Sequence, residues 1–110
     1  MKINILGTDY EIIHTTDKVH EELKDADGWC SNYTQKIYLE TNLLRDEVEN
    51  EDTIKARSIR AKDTLRHEII HAYIKESAAQ HSVLDHEYCV HWIALMFPKL
   101  LKTFQEADAL

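Results

Sequence analysis

The sequence predicts an α+β fold in which a small sheet comes first and helices follow. Two observations support this class. Polar and apolar residues alternate in short runs within the first forty residues, as they do in strands that bury one face. After residue 53 there is no Gly, and no Pro before Pro98, while apolar residues recur at helical spacing.

Four strands are predicted, and together they make a short, mainly antiparallel sheet. They cover Lys2 to Leu6, Asp9 to His14, Trp29 to Tyr33 and Lys36 to Thr41. A short helix that carries Val19 and Leu23 on one face is predicted between the second and third strands. Trp29 and Trp92 are expected to anchor the core.

The longest predicted helix runs from Thr53 to Ser77, after an acidic stretch at residues 42–52 that is predicted as an exposed loop or a frayed helix start. A second helix is predicted from Asp85 to Phe97. Pro98 is expected to begin or kink a third helix that reaches Phe104.

Length and charge limit the possible functions. A chain of 110 residues has room for one core, so residues 1–110 are expected to form a single domain. A formal net charge of −7 repels phosphate backbones, so nucleic acid is not expected as a partner. No signal-peptide or membrane-spanning run is visible, which predicts a cytoplasmic protein without a membrane partner. Cys30 and Cys89 are expected to be reduced thiols.

The long helix contains His67-Glu68-Ile69-Ile70-His71, an H-E-x-x-H motif. Two His residues four positions apart lie on one helix face, so both imidazoles can reach one ion. Glu68 lies about 100° around the helix axis from His67, which places its carboxylate close to a water on that ion. We therefore predict that His67 and His71 bind zinc and that Glu68 is the general base of a peptide-bond hydrolysis.

A catalytic zinc site takes a third protein ligand. The candidates after His71 are Glu76, His81, Asp85, His86, Glu87, His91 and Glu106. Glu87 is the predicted ligand, because 16 residues after His71 leave room for the helix to end and a new helix to present a carboxylate. His91, one turn beyond Glu87, is expected to orient one of the zinc ligands by a hydrogen bond. One zinc ion per chain is expected, although His/His/Glu ligation also admits other divalent ions.

The motif, followed by Glu87-x-x-Val90-His91-x-Ile93-Ala94, resembles the gluzincin pattern of HExxH plus a downstream glutamate. It is most similar to the short ImmA/IrrE-type metallopeptidases, which are common in phages and mobile elements, and in length to the minigluzincins. His91 stands where the ImmA/IrrE pattern has Asn. The resemblance covers Trp29 to Phe97 and implies a small zincin-like domain with a long active-site helix and a following glutamate-bearing helix.

The resemblance also implies a zinc-dependent endopeptidase acting on a specific protein partner, such as a regulator or repressor. The strand from Lys36 to Thr41 would be the edge to which a peptide substrate adds. No residue is assigned to stabilise the oxyanion; the candidates are Tyr33, Arg60, Lys75, His81, His86 and Tyr88.

Two other functions are compatible with the sequence. A non-catalytic protein could keep this scaffold and act by occupying a protein partner. A zymogen-like form could lay its C-terminal tail, Thr103 to Leu110, over the cleft.

Overall fold

The computed structural model describes all 110 residues and confirms the α+β class, with a four-stranded mixed sheet followed by two long helices. The strands are β1 (Lys2–Ile5), β2 (Thr8–Thr15), β3 (Gly28–Ser31) and β4 (Lys36–Glu40). The helices are α1 (Glu51–Glu76) and α2 (Glu87–Glu106), and short 3-10 turns lie at Glu21–Leu23 and Val83–Asp85. Neither long helix combines the length and the apolar composition that a membrane-spanning segment requires.

The strand order in the sheet is β1-β2-β4-β3. Two antiparallel hairpins, β1 with β2 and β3 with β4, are joined by a parallel pairing of β2 with β4. The prediction that the Lys36 to Thr41 strand forms the edge is therefore wrong. The connection after β2 brings β4 alongside it, and this leaves the hairpin partner β3 on the outside. Burial agrees, since Ile37 and Leu39 of β4 are almost completely buried, as expected for an inner strand.

The core lies between one face of the sheet and α1. Its members are Ile5, Tyr10, Ile12, Ile37, Leu39 and Ala72. The hydroxyl of Tyr10 donates to Glu76 Oε1 at 2.8 Å, and the hydroxyl of Thr8 donates to Glu76 Oε2 at 2.9 Å. Both oxygens of one carboxylate thus join β2 to the C-terminal end of α1.

The start of α1 is fixed by a side-chain cap. Asn50 has an extended backbone, and its side-chain oxygen accepts the backbone N–H of Thr53 at 2.9 Å. This is the usual way in which an N-cap satisfies an unpaired helix donor. Consequently the helix begins at Glu51, two residues before the predicted Thr53, and the acidic stretch before it is a loop.

The prediction of a third helix at Pro98 is wrong, because α2 continues through Pro98 to Glu106. Proline has no backbone N–H, so the carbonyl of Ala94, four residues earlier, loses its helical donor. Arg66 of α1 supplies the missing bond, since its Nε donates to the Ala94 carbonyl oxygen at 2.6 Å. The neighbouring helix thus satisfies the acceptor that Pro98 leaves free.

Two further predictions need correction, one on the segment after β2 and one on the two tryptophans. The helix predicted after β2 is only the 3-10 turn at Glu21–Leu23; Leu23 is buried there, but Val19 is 81% exposed. Trp29 and Trp92 are 45% and 55% exposed, so neither is a core anchor. Trp29 follows the buried Gly28 in β3 and lies on the opposite face of the strand.

Candidate metal centre

Three of the predicted site residues converge at one point between the two helices. His67 Nε2 and His71 Nε2 lie 3.2 Å apart. Glu87 reaches both imidazoles, with Oε1 at 2.8 Å from His71 Nε2 and Oε2 at 3.1 Å from His67 Nε2. The two imidazoles come from one face of α1, and Glu87 is the first residue of α2.

The donor set fits a divalent cation. A neutral imidazole carries one N–H, so two rings can supply at most two protons to the three contacts among these atoms. A single cation would satisfy all three groups at once. Two ligands about 2.0–2.1 Å from a tetrahedral ion are about 3.3 Å apart, close to the observed separation of the two Nε2 atoms. This group of His67, His71 and Glu87 can therefore hold a metal ion, although its geometry does not select one metal over another.

The electrostatic setting favours the ligating form of His67. Burial lowers the pKa of His67, and although the charge of Glu87 opposes this shift, His71 and His91 reinforce it. The net shift is downward, so the imidazole stays neutral over a wider pH range, and neutral imidazole is the form that binds metals. The side chain of Glu87 is 71% exposed, so the centre opens to solvent.

Glu68 lies beside this centre without being one of the three converging groups. It is 7% exposed and is the one buried charged residue of the chain. Burial, together with the charge of Glu87, raises the pKa of Glu68 to about 7, although the backbone N–H of Cys30 acts in the opposite direction. A carboxyl group that titrates near neutral pH can both take and return a proton there.

The edge strand β3 forms one wall above Glu68. Gly28 allows the close approach, because a Cβ at that position would lie 2.8 Å from Thr64 Cγ2 and 2.9 Å from Glu68 Cγ. The Asp27 carbonyl accepts the Glu40 N–H, and paired and unpaired positions alternate in an antiparallel ladder. The backbone groups of Gly28 and Cys30 therefore point away from β4, on the side where the Cys30 N–H acts on Glu68.

A groove of about 700 Å³ runs between β3 and the two helices and contains the centre. His91 lines this groove, with its ring centroid 6.4 Å from that of His67, but it makes no hydrogen bond to any of the three converging residues. Asp85 Oδ1 instead lies 3.8 Å from His71 Nδ1. From the sequence, Asp85 was a candidate only for the third ligand. Its approach to His71 could not be predicted from helical spacing, because it lies in the 3-10 turn before α2.

The candidates for oxyanion stabilisation divide into two groups. Arg60 and Lys75 line the groove, and each already has a partner: Arg60 pairs with Asp27, and Lys75 Nζ donates to the Asn32 carbonyl. The other four candidates do not line the groove; they are Tyr33, His81, His86 and Tyr88.

The C-terminal tail does not cover the cleft. No residue after His91 lines the groove. Glu106 ends α2, 19 residues after Glu87, which corresponds to about 28 Å along a helix axis. The structure therefore does not have the zymogen-like arrangement, because α2 carries the tail away from the centre.

No family model, curated protein or solved structure matches this chain.

Proposed function

We propose that this chain is a zinc-dependent endopeptidase whose metal ion is held by His67, His71 and Glu87. The observation that carries the proposal is the convergence of these three groups beside a buried carboxylate, Glu68, at an open sheet edge. A metal site needed only for structure would be closed by a fourth protein ligand, whereas a catalytic site keeps an open position. Only three groups converge here, and the third is exposed to solvent.

The chain's own residues supply the parts that hydrolysis requires. A zinc ion bound by these residues would polarise the scissile carbonyl and lower the pKa of the attacking water. Glu68 lines the same groove as the three converging groups, so its carboxylate can take the proton of that water and return it to the leaving amine. The free edge of β3 offers backbone groups with which an extended peptide can pair.

The proposed substrate is a segment of a specific protein partner, such as a regulator or repressor. The motif with its downstream Glu87, similar to the ImmA/IrrE pattern, supports this class of target and an origin in a phage or mobile element. A groove that is open along a strand suits an extended chain better than a small, enclosed ligand.

The test uses a matched pair of glutamate variants. Zinc-loaded protein is incubated with a peptide mixture from a digested proteome, and new chain ends are identified by mass spectrometry. We expect Glu68→Gln to keep its zinc and to lower the cleavage rate by about 10²- to 10⁴-fold. Glu106→Gln, at the far end of α2, should cleave like the wild type. A zinc-loaded wild type that cleaves no more than Glu68→Gln would contradict the proposal.

A second candidate function is a non-catalytic protein that acts by occupying a partner. The outer face of α2 favours it, because Tyr88, Trp92 and Leu95 recur there at helical spacing and are 64%, 55% and 45% exposed. If this function is correct, the Glu68→Gln variant should keep its full effect on the partner protein. Substituting Trp92 by Ser would then abolish that effect, while zinc binding would be unchanged.

A further inference from the structure

The imidazole of His71 has two different neighbours at its two nitrogens. Its Nε2 faces His67 and Glu87 in the candidate metal centre. Its Nδ1, on the other side of the ring, lies 3.8 Å from Asp85 Oδ1. Asp85 comes from the 3-10 turn at Val83–Asp85, immediately before α2, so it approaches His71 from outside the centre.

We propose that Asp85 is a positioning residue for the metal centre, which accepts the Nδ1–H of His71 and so directs the Nε2 lone pair at the ion. The inference rests on the metal site of the proposed function. A carboxylate that accepts the distal N–H of a ligating histidine fixes its tautomer and ring orientation and makes it a stronger donor.

The Asp85 carboxylate is free to make this bond. It accepts no hydrogen bond and is 36% exposed, so a rotation of the side chain can close the 3.8 Å gap to the range of about 2.7–3.2 Å that an N–H···O bond needs. The 3-10 turn does not depend on that carboxylate. Ser82 Oγ accepts the Leu84 N–H, and Asp85 contributes only its backbone N–H, to the Ser82 carbonyl.

The other polar groups of the groove are less suited to this role. The ring centroid of His91 lies 6.4 Å from that of His67, and the two side chains form no hydrogen bond. Asp63 lies one helical turn before His67, but its carboxylate faces Arg66 Nη2 at 3.5 Å and neither of its oxygens comes within 4.0 Å of a histidine nitrogen. Asp85 is the one carboxylate within 4.0 Å of His71 Nδ1.

The test measures zinc affinity of the full chain by competition with a chromophoric chelator. We expect Asp85→Ala to weaken zinc binding by about 10- to 100-fold. Asp85→Asn should weaken it less, because the amide oxygen can still accept the His71 N–H. The controls Glu106→Gln, which changes a carboxyl group at the far end of α2, and Ser82→Ala, which removes a hydrogen bond of the turn but keeps the Asp85 carboxylate, should stay within about threefold of the wild type.

A second readout separates positioning from a loss of structure. In zinc-loaded wild type, the Nδ1 proton of His71 should be visible by NMR and protected from exchange with water. The signal should be lost in Asp85→Ala and kept in Ser82→Ala. If the Asp85→Ala variant does not fold, the Asp85→Asn variant is used in its place.

The outcomes distinguish this inference from the proposed function. If Asp85→Ala binds zinc as tightly as the wild type, while Glu87→Ala loses the metal, the positioning role is overturned and the metal site stands. If the wild type binds no zinc at all, both are overturned.

Discussion

Gly28 sets the distance between the edge strand and the buried Glu68. A methyl group at this position would lie within 3.0 Å of side-chain carbons of both Thr64 and Glu68. Thr64 Cγ2 is the methyl group of a short β-branched side chain, and Glu68 Cγ lies in the middle of a buried one, so either β3 or the Glu68 carboxylate must move. Gly28 is therefore part of the candidate site.

Substituting Gly28 by Ala should lower the free energy of unfolding by about 1–3 kcal/mol, the usual cost of overpacking, and should also reduce cleavage. Gly7→Ala is the matched control, because a Cβ at Gly7 would meet no atom within 4 Å and only the positive φ of 93° opposes the change. Urea unfolding and the peptide assay measure the two effects. Equal effects of both substitutions on cleavage would contradict a special role of Gly28.

At the scale of single residues, the sequence was sufficient to predict site residues whose position is set by a regular helix. It was not sufficient for a residue whose position is set by a turn. His67, Glu68 and His71 follow from helical spacing alone, and Glu87 follows from the length of the connection after α1. Asp85 could not be predicted to approach His71, because its direction depends on the 3-10 turn at Val83–Asp85, which has no periodic pattern. His91 has the spacing expected of a ligand-orienting residue, but it has no hydrogen bond to a ligand.

The contact between α1 and α2 depends on a pair of residues that lie far apart in sequence. Pro98 removes the donor for the Ala94 carbonyl, and Arg66 replaces it from the other helix. This bond holds α2, with Glu87 at its start, against the helix that carries the two histidines. Replacing Arg66 by Met keeps much of the side-chain stem but leaves the carbonyl without this donor.

A double-mutant cycle tests this relation. Arg66→Met should cost about 1–3 kcal/mol of stability, because it leaves an acceptor unsatisfied. In a Pro98→Ala background, the new N–H of residue 98 can donate to the Ala94 carbonyl. Arg66→Met should then lower the free energy of unfolding by at least about 1 kcal/mol less than it does in the wild type. The free energies of unfolding come from urea titration. Costs that simply add would show that Arg66 does not compensate for the proline.

The elements differ in how much the sequence could predict of them. Binary patterns were sufficient for the four strands and α1, whose boundaries fall within a few residues of those expected. The order of the strands depends on the long-range pairing of β2 with β4, which no local pattern encodes. The continuation of α2 across Pro98 could not be predicted either, because the hydrogen-bond donor that replaces the missing N–H is Arg66 of α1.

Across the whole molecule, one carboxylate joins the sheet to the end of the long helix. Hydrogen bonds from Tyr10 and Thr8 lower the pKa of Glu76. A carboxyl group whose pKa is depressed on folding contributes stability above its unfolded pKa, near 4.5, and loses it as the pH falls through the folded value. Acid should therefore weaken the contact between β2 and α1 as the pH falls below the unfolded pKa of Glu76.

Glu76→Gln should lower stability at pH 7 and flatten the fall in stability below about pH 5, because the amide cannot titrate. Thermal unfolding followed by circular dichroism over a pH series measures this, with Glu106→Gln as the control. Parallel curves for the wild type and Glu76→Gln at acid pH would contradict the role given to Glu76.

The metal centre is the feature on which the functional account depends. The most direct test is elemental analysis of the untagged protein, purified beside Glu87→Ala and supplied with zinc before excess metal is removed. We predict one zinc ion per wild-type chain and a loss of most of it in the variant. Wild-type protein without bound metal after zinc has been supplied would contradict the account, because the convergence of His67, His71 and Glu87 would then have no ion to explain it.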